Sequence, residues 1–242
     1  MIRLFHVSDV HFGAEDRAAL SWFNRVVAEE QPDAIIMTGD LTMQARSHEF
    51  VAAAKWLEGL GRPVTVEVGN HDLPYFNPWS RFVTPYKRYG RLERMIERPL
   101  DIKGLSIIPL KTTARFQFRL NWSKGHVSLR SLQKSLALVE ATPADDLKFI
   151  VCHHPLVEAG TRTSSSTRGG RRALEALADA GADAVLTGHV HDPFDIAHQV
   201  GGRTIRMIGA GTLSERVRLH PPSFNEIRVE GRNFVTVARV LE

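Results

Sequence analysis

The stretch IRLFHVSDVHFG, residues 2–13, decides the fold. It opens on a short apolar run, Ile2–Val7, and breaks into Ser8-Asp9-Val10-His11, a cluster of polar residues able to bind metal. The same habit recurs four times. Residues 34–38 (AIIMT) run into Gly39-Asp40, and residues 64–68 (VTVEV) into Gly69-Asn70-His71-Asp72. Residues 149–152 (FIVC) run into His153-His154-Pro155, and Ala184–Thr187 into Gly188-His189-Val190-His191. Runs this short, rich in Val and Ile and closed by Gly or polar residues, read as buried strands.

Between them lie helical patterns. Residues 15–30 set Ala18, Leu20, Phe23, Val26 and Val27 at helical spacing, and Pro32 stops the pattern. Residues 46–59, 128–140 and 170–180 read alike, with Ser128 as an N-cap and Gly181 as a C-terminal stop. Strand–helix alternation implies an α/β fold with largely buried sheets. The last part, residues 193–240, is strand-like and broken by turns, so a second, more antiparallel sheet is expected there. Two segments stand apart: residues 74–91 are aromatic and basic with three prolines, and residues 159–170 have the Ser, Thr and Gly content of a mobile loop. No linker divides the chain, and residues 1–242 are read as one domain.

The 242 residues are 43% apolar and 24% charged, which is ordinary for a globular protein with a sizeable core. The N-terminal apolar run is too short for a signal segment, and no stretch is long enough to cross a bilayer. The single cysteine, Cys152, excludes an intramolecular disulfide, so the expected compartment is cytoplasmic, with no membrane partner. The net charge of +4 gives weak support for an anionic substrate, and no Lys/Arg run of nucleic-acid-tail type is present.

In α/β sheets, ligands collect beyond the carboxyl ends of the strands. If the five runs are neighbouring strands, Asp9, His11, Asp40, Asn70, His71, His153, His189 and His191 converge at one edge. Oxygen and imidazole donors without thiolates suit Mn²⁺, Fe or Zn²⁺, and two ions can be held if one carboxylate bridges them. Asp9 and His11 lie two apart, so in extended backbone both project the same way and can grip one ion. His189 and His191 share that spacing and can serve one ion or two. Gly39, Gly69 and Gly188 precede candidate ligands, where a missing side chain lets the backbone come close.

Asp9-x-His11, Gly39-Asp40, Gly69-Asn70-His71-Asp72, His153-x-Pro155 and Gly188-His189-x-His191 resemble the five ordered motifs of calcineurin-like metallophosphoesterases. The resemblance implies a four-layer α/β/β/α sandwich, two mixed β-sheets flanked by helices. It implies Asp9, His11 and His191 on one metal, Asn70, His153 and His189 on the other, and Asp40 bridging. His153 is taken as the ligand from its place before His154-Pro155, with His154 the alternative. His71 is then a catalytic group that binds no metal and meets the departing oxygen. Two ions of this kind can hold a bridging hydroxide for in-line attack on phosphorus.

Length and the Gly-Asn-His-Asp variant look most like bacterial class III cyclic-nucleotide phosphodiesterases, so a small phosphodiester is the expected substrate. A DNA nuclease and a non-catalytic scaffold of the same fold are the alternatives. A lipid-linked pyrophosphatase would need an apolar cap, for which residues 115–127 are too few. Tyr75, Phe76, Trp79, Phe82 and Tyr86 can line the cleft, or pack a core or homodimer interface, with equal reason. Arg46 and Arg81 can touch phosphate, although solvated charge is the commoner fate. Asp72 reads as a turn residue or a partner to a ligand, and His48, His126, His198 and His220 as surface or loop residues.

Overall fold

The computed structural model describes residues 1–74, 78–97, 100–114, 123–164 and 167–242. Its first half runs β1 (Ile2–Val7), α1 (Arg17–Glu30), β2 (Ala34–Met37), α2 (Ser47–Gly59), β3 (Val64–Val66), α3 (Pro78–Val83) and α4 (Tyr89–Ile96). There follow β4 (Leu105–Pro109), α5 (Leu129–Ala141), β5 (Leu147–Val151), α6 (Gly170–Asp179) and β6 (Ala184–Thr187). Four strands close the chain: β7 (Phe194–Val200), β8 (Arg203–Gly209), β9 (Ser223–Glu230) and β10 (Asn233–Val240).

Side-chain alternation along the buried strands builds the layers. Phe5 and Val7 of β1, with Ile35 and Met37 of β2, share a core with Phe23 of α1 and Leu57 of α2. Leu4 and Ile36 face the other way, onto Phe149 and Val151 of β5 and Leu186 of β6. Ile150 and Val185, next in those two strands, turn outward onto Leu132 of α5 and Leu174 and Leu177 of α6. Both faces of each central strand are thus apolar, which is why the runs read as continuous rather than alternating. The result is helices, sheet, sheet, helices. Fully burying a side chain such as Phe5 or Phe149 is worth roughly 1.5–3 kcal/mol.

One sheet has the order β10-β9-β1-β2-β3 and the other β4-β5-β6-β8-β7. β1, β2 and β3 are mutually parallel, as are β4, β5, β6 and β8. The five motif-bearing strands are therefore not all neighbours: β1 to β3 lie in one sheet, β5 and β6 in the other. The separate antiparallel sheet expected from residues 193–240 does not form either. β9 and β10 add antiparallel strands beside β1, while β8 and β7 extend the second sheet beyond β6. Strand patterning records which faces are buried, and carries no information about which edge receives the strand.

The helix boundaries come close to expectation. Ser128 Oγ accepts from Ser131 N–H at 3.1 Å and caps α5, and Gly181, at φ +94°, follows the end of α6. In α1 the buried alanine is Ala19 rather than Ala18. Among the described residues, no helix is long and apolar enough to cross a membrane.

Candidate metal centre

The carboxyl ends of β1, β2 and β3 in one sheet, and of β5 and β6 in the other, face each other across the sandwich. The peptide beyond each strand is stitched to the next: Asp9 N–H donates to Gly39 C=O at 3.0 Å, and His11 N–H to Asp40 C=O at 3.0 Å. Hydrogen bonds also tie the motif residues of one sheet to those of the other. His189 N–H donates to Asp9 Oδ2 at 2.8 Å, and His153 Nδ1–H to Thr38 C=O at 2.8 Å.

The backbone here is not extended. Asp9, His11, Asp40, His189 and His191 all have positive φ, between 49° and 73°. Left-handed residues of this kind cost of order 1 kcal/mol each and persist only where surrounding contacts hold them, which makes their clustering at one place informative. The same-side projection of Asp9 and His11 thus comes from two tight left-handed turns. Close approach sets the glycines. A Cβ on Gly39 would lie 2.7 Å from Gly69 N and 2.8 Å from His153 Nδ1, and one on Gly69 would overlap Asp40.

The acceptor atoms of these residues aim at one another. His191 Nε2 stands 3.2 Å from His11 Nε2 and 3.2 Å from Asp9 Oδ1. His11 Nε2 is 3.7 Å from Asp9 Oδ1 and 3.8 Å from Asp40 Oδ2. His153 Nε2 lies 3.3 Å from Asp40 Oδ2 and 3.2 Å from Asn70 Oδ1. The Nδ1–H of His191 donates to Arg216 C=O at 2.6 Å, as that of His153 does to Thr38, so in each neutral ring Nε2 is a bare lone pair. Buried Asp9 Oδ1 accepts no well-formed hydrogen bond among the described residues. Lone pairs facing carboxylate oxygens at this range repel unless a proton or a metal cation comes between them. The donor set therefore fits metal ions.

The charge states say the same. Burial opposes charge on His153, but the Asp40 carboxylate outweighs it and raises the imidazole to about 9. Burial likewise opposes charge on His191, and Asp9 more than offsets it. Burial would raise both carboxyls, yet His191 holds Asp9 low and His153 holds Asp40 low. Burial drives His11 and His189 down to about 3, so both stay neutral and able to ligate.

His189 rings with His153 and His154, at centroid distances of 5.2 and 4.5 Å. His154 differs from His153 in having both nitrogens engaged: Nε2–H donates to Ser123 C=O at 2.8 Å, and Nδ1 accepts from Thr112 Oγ1 at 2.9 Å. Asp72 is buried beneath the site, where its Oδ1 accepts from Thr42 N–H and its Oδ2 from Gly69 N–H, both at 2.9 Å. Burial, and then the charge of Asp40, raises its carboxyl to about 6. Asn70, His71 and His189 are only partly buried and form the open side.

His71 N–H donates to Asp40 Oδ1 at 2.8 Å, and His71 Nδ1–H to Met43 C=O at 2.8 Å, leaving Nε2 towards the opening. There it meets Arg216 Nη1 at 3.1 Å. Arg216 was invisible to motif reading. It follows β8, which runs parallel to β6 and, like the five other strands, ends in a small and polar cluster, Ala210-Gly211-Thr212. Thr212 Oγ1 donates to Asp9 C=O at 2.6 Å from that turn.

Other sequence candidates fall elsewhere. Arg46 is exposed at the start of α2, whereas Arg81 is buried and donates to Ala114 C=O at 3.3 Å. Tyr86 packs against the first core, while Trp79 and Phe82 are exposed. Tyr75, Phe76 and residues 115–122 and 165–166 lie outside the described residues. His48 and His220 are exposed, and His126 and His198 are partly buried, away from the cluster of acceptors.

The calcineurin-like phosphoesterase family model matches residues 2–193, a span that holds all five motifs. The chain belongs to the calcineurin-like phosphoesterase family. Membership makes it a metal-dependent phosphoric ester hydrolase by class. It is 25% identical over 207 residues to a probable cyclic nucleotide phosphodiesterase of Pseudoalteromonas sp. strain SM9913, covering 80% of this chain and 72% of that one. It is 24% identical over 220 residues to a component of the nuclease SbcCD of Staphylococcus epidermidis, covering 81% of this chain but only 58% of the nuclease component. Its fold is similar to that of a dimetal phosphatase from Danio rerio, with a TM-score of 0.67, 14% identity, and coverage of 99% of this chain and 96% of that one.

Proposed function

We propose that this family member is a dinuclear metal-dependent phosphodiesterase acting on a small phosphodiester. Asp9, His11 and His191 would hold one ion, Asn70, His153 and His189 would hold the other, and Asp40 would serve both. The observation that carries this reading is the convergence of potential ligand atoms, with His11 Nε2, His191 Nε2 and Asp9 Oδ1 in one group and His153 Nε2, Asp40 Oδ2 and Asn70 Oδ1 in the next. His153 is the ligand rather than His154, because the latter's two nitrogens are already engaged. Mn²⁺ and Fe suit this mixed oxygen and imidazole set, and Zn²⁺ is compatible with it.

Bound ions of this kind acidify water and neutralise phosphoryl charge. The protein does the rest. Nδ1–H bonds to the Thr38 and Arg216 carbonyls fix the ring planes of His153 and His191, so that neither ligand has to reorient. The Met43 carbonyl fixes His71 in turn, directing Nε2 to the open side, where the leaving oxygen would depart. The strands that follow the last motif complete the two sheets, and the likeness to a probable cyclic nucleotide phosphodiesterase supports a small substrate.

A nuclease reading is favoured by one observation, the likeness to the SbcCD component. A substrate panel separates the two. Metal-free protein reloaded with Mn²⁺ is assayed with bis-p-nitrophenyl phosphate, p-nitrophenyl phosphate, cyclic AMP and single-stranded DNA. The diesters should be preferred. Preference for the monoester overturns the diesterase reading, and DNA cleavage that falls steeply with salt favours the nuclease.

A further inference from the structure

Arg216 enters the centre from a loop that is locked in place. Its carbonyl accepts from His191 Nδ1–H at 2.6 Å, its own N–H donates to Ser214 Oγ at 3.3 Å, and Leu219 N–H donates to Asp192 Oδ1 at 3.0 Å. The loop is therefore pinned to His191 and to the residue after it. The side chain reaches inward. Nη1 stands 3.1 Å from His71 Nε2, 3.5 Å from His11 Nε2 and 3.8 Å from Met43 Sδ. Among the described residues, no carboxylate pairs with this guanidinium.

That arrangement poses an electrostatic problem. A guanidinium keeps its charge throughout the accessible pH range. It is half-buried, where charge is less screened than at the surface, and it points at the nitrogen His11 would offer to a metal. Two cations so close repel unless an anion stands between them. The planar fork of arginine matches two oxygens of a phosphoryl group better than any other side chain does.

We propose that Arg216 binds substrate, gripping non-bridging phosphoryl oxygens beside His71. This rests on the hydrolase reading above and assigns a role to a residue that lies beyond the five motifs. A phosphoryl oxygen then takes the place on Nη1 that His71 Nε2 fills in the structure, which frees His71 to face the leaving group. Arg216 would be a merely positioning residue if its task were only to orient His71 or hold the loop, and the two roles differ in measurable ways.

The test uses the full chain loaded with Mn²⁺, in the Arg216→Met and Arg216→Lys variants, with inorganic phosphate as the probe. The side-chain changes leave the Arg216 carbonyl, and so the anchoring of His191, in place. Calorimetric phosphate affinity should fall by roughly ten- to a hundredfold in Arg216→Met, the worth of a charge-assisted hydrogen bond. Arg216→Lys should recover part of it, because a point charge replaces the fork. Metal content and melting temperature should hold in both, and KM for bis-p-nitrophenyl phosphate should rise with the phosphate dissociation constant. Phosphate affinity within about twofold of the parent protein would overturn the assignment, as would loss of metal from Arg216→Met. Arg216-dependent phosphate binding without any ester hydrolysis would keep this anion site and remove the hydrolase reading. An active enzyme whose phosphate affinity ignores Arg216 would do the reverse.

Discussion

Raising the pH of the metal-free protein strips the proton that Asp40 holds on His153, and the fold should weaken as it goes. His153 is 1% exposed, with its Nε2 3.3 Å from Asp40 Oδ2, so solvent screens the pair little. Burial alone would lower the imidazole, yet Asp40 raises it from 6.5 to about 9. At about 1.4 kcal/mol per tenfold change in proton affinity, the shift is worth roughly 3 kcal/mol of folding free energy. Below pH 6.5 both the folded and the unfolded imidazole carry the proton, and the contribution is complete. Above about pH 9 neither carries it, and the contribution is gone. His191, raised by Asp9 against burial, acts in the same direction. Urea denaturation of EDTA-treated protein across that window should show the loss, and His153→Gln should lack the larger part of it. In Mn²⁺-loaded protein the cation replaces the proton, so stability should not decline over the same range. Stability that is flat with pH in the metal-free protein, or an equal decline in His153→Gln, would mean that the His153–Asp40 pair does not set this dependence.

Two substitutions probe the site's packing and chemistry. Gly69→Ala drives a Cβ into the backbone nitrogen and Oδ1 of Asp40, which cannot move without displacing the carboxylate. It should cost about 1–3 kcal/mol in denaturation and leave less metal per chain by elemental analysis. His71→Ala should lower kcat by roughly 10²–10⁴-fold while metal content holds, and loss of metal would make His71 a ligand instead.

Much of this was legible because both faces of the central strands are buried. Continuous apolar runs ending in polar clusters located β1, β2, β3, β5 and β6 to within about two residues, since periodicity and punctuation are local properties. What the sequence does not carry is the partner of each strand. Residues 193–240 look like one antiparallel sheet, yet β9 and β10 go to one sheet and β7 and β8 to the other. β4 escaped notice because Leu105–Pro109 ends without a polar metal-capable cluster. Spacing placed Asp9 and His11 together for the wrong reason, since the backbone turns left-handed at both rather than extending. Arg216 was missed because a basic residue in a late loop has no periodic signature, and only the three-dimensional closure of β8 beside β6 brings it to His71. Arg81 shows the converse, a charge that reads as solvated and is buried.

In the proposed centre, seven residues from five strand ends would hold a pair of ions. Titration of the metal-free chain with Mn²⁺, followed by calorimetry with parallel elemental analysis and assay on bis-p-nitrophenyl phosphate, counts those ions and ties them to activity. Two ions per chain should bind, with proton release from His153 on loading below about pH 9, and hydrolysis should appear only as the sites fill. Binding of a single ion, or hydrolysis by the metal-free chain, would contradict the proposed centre.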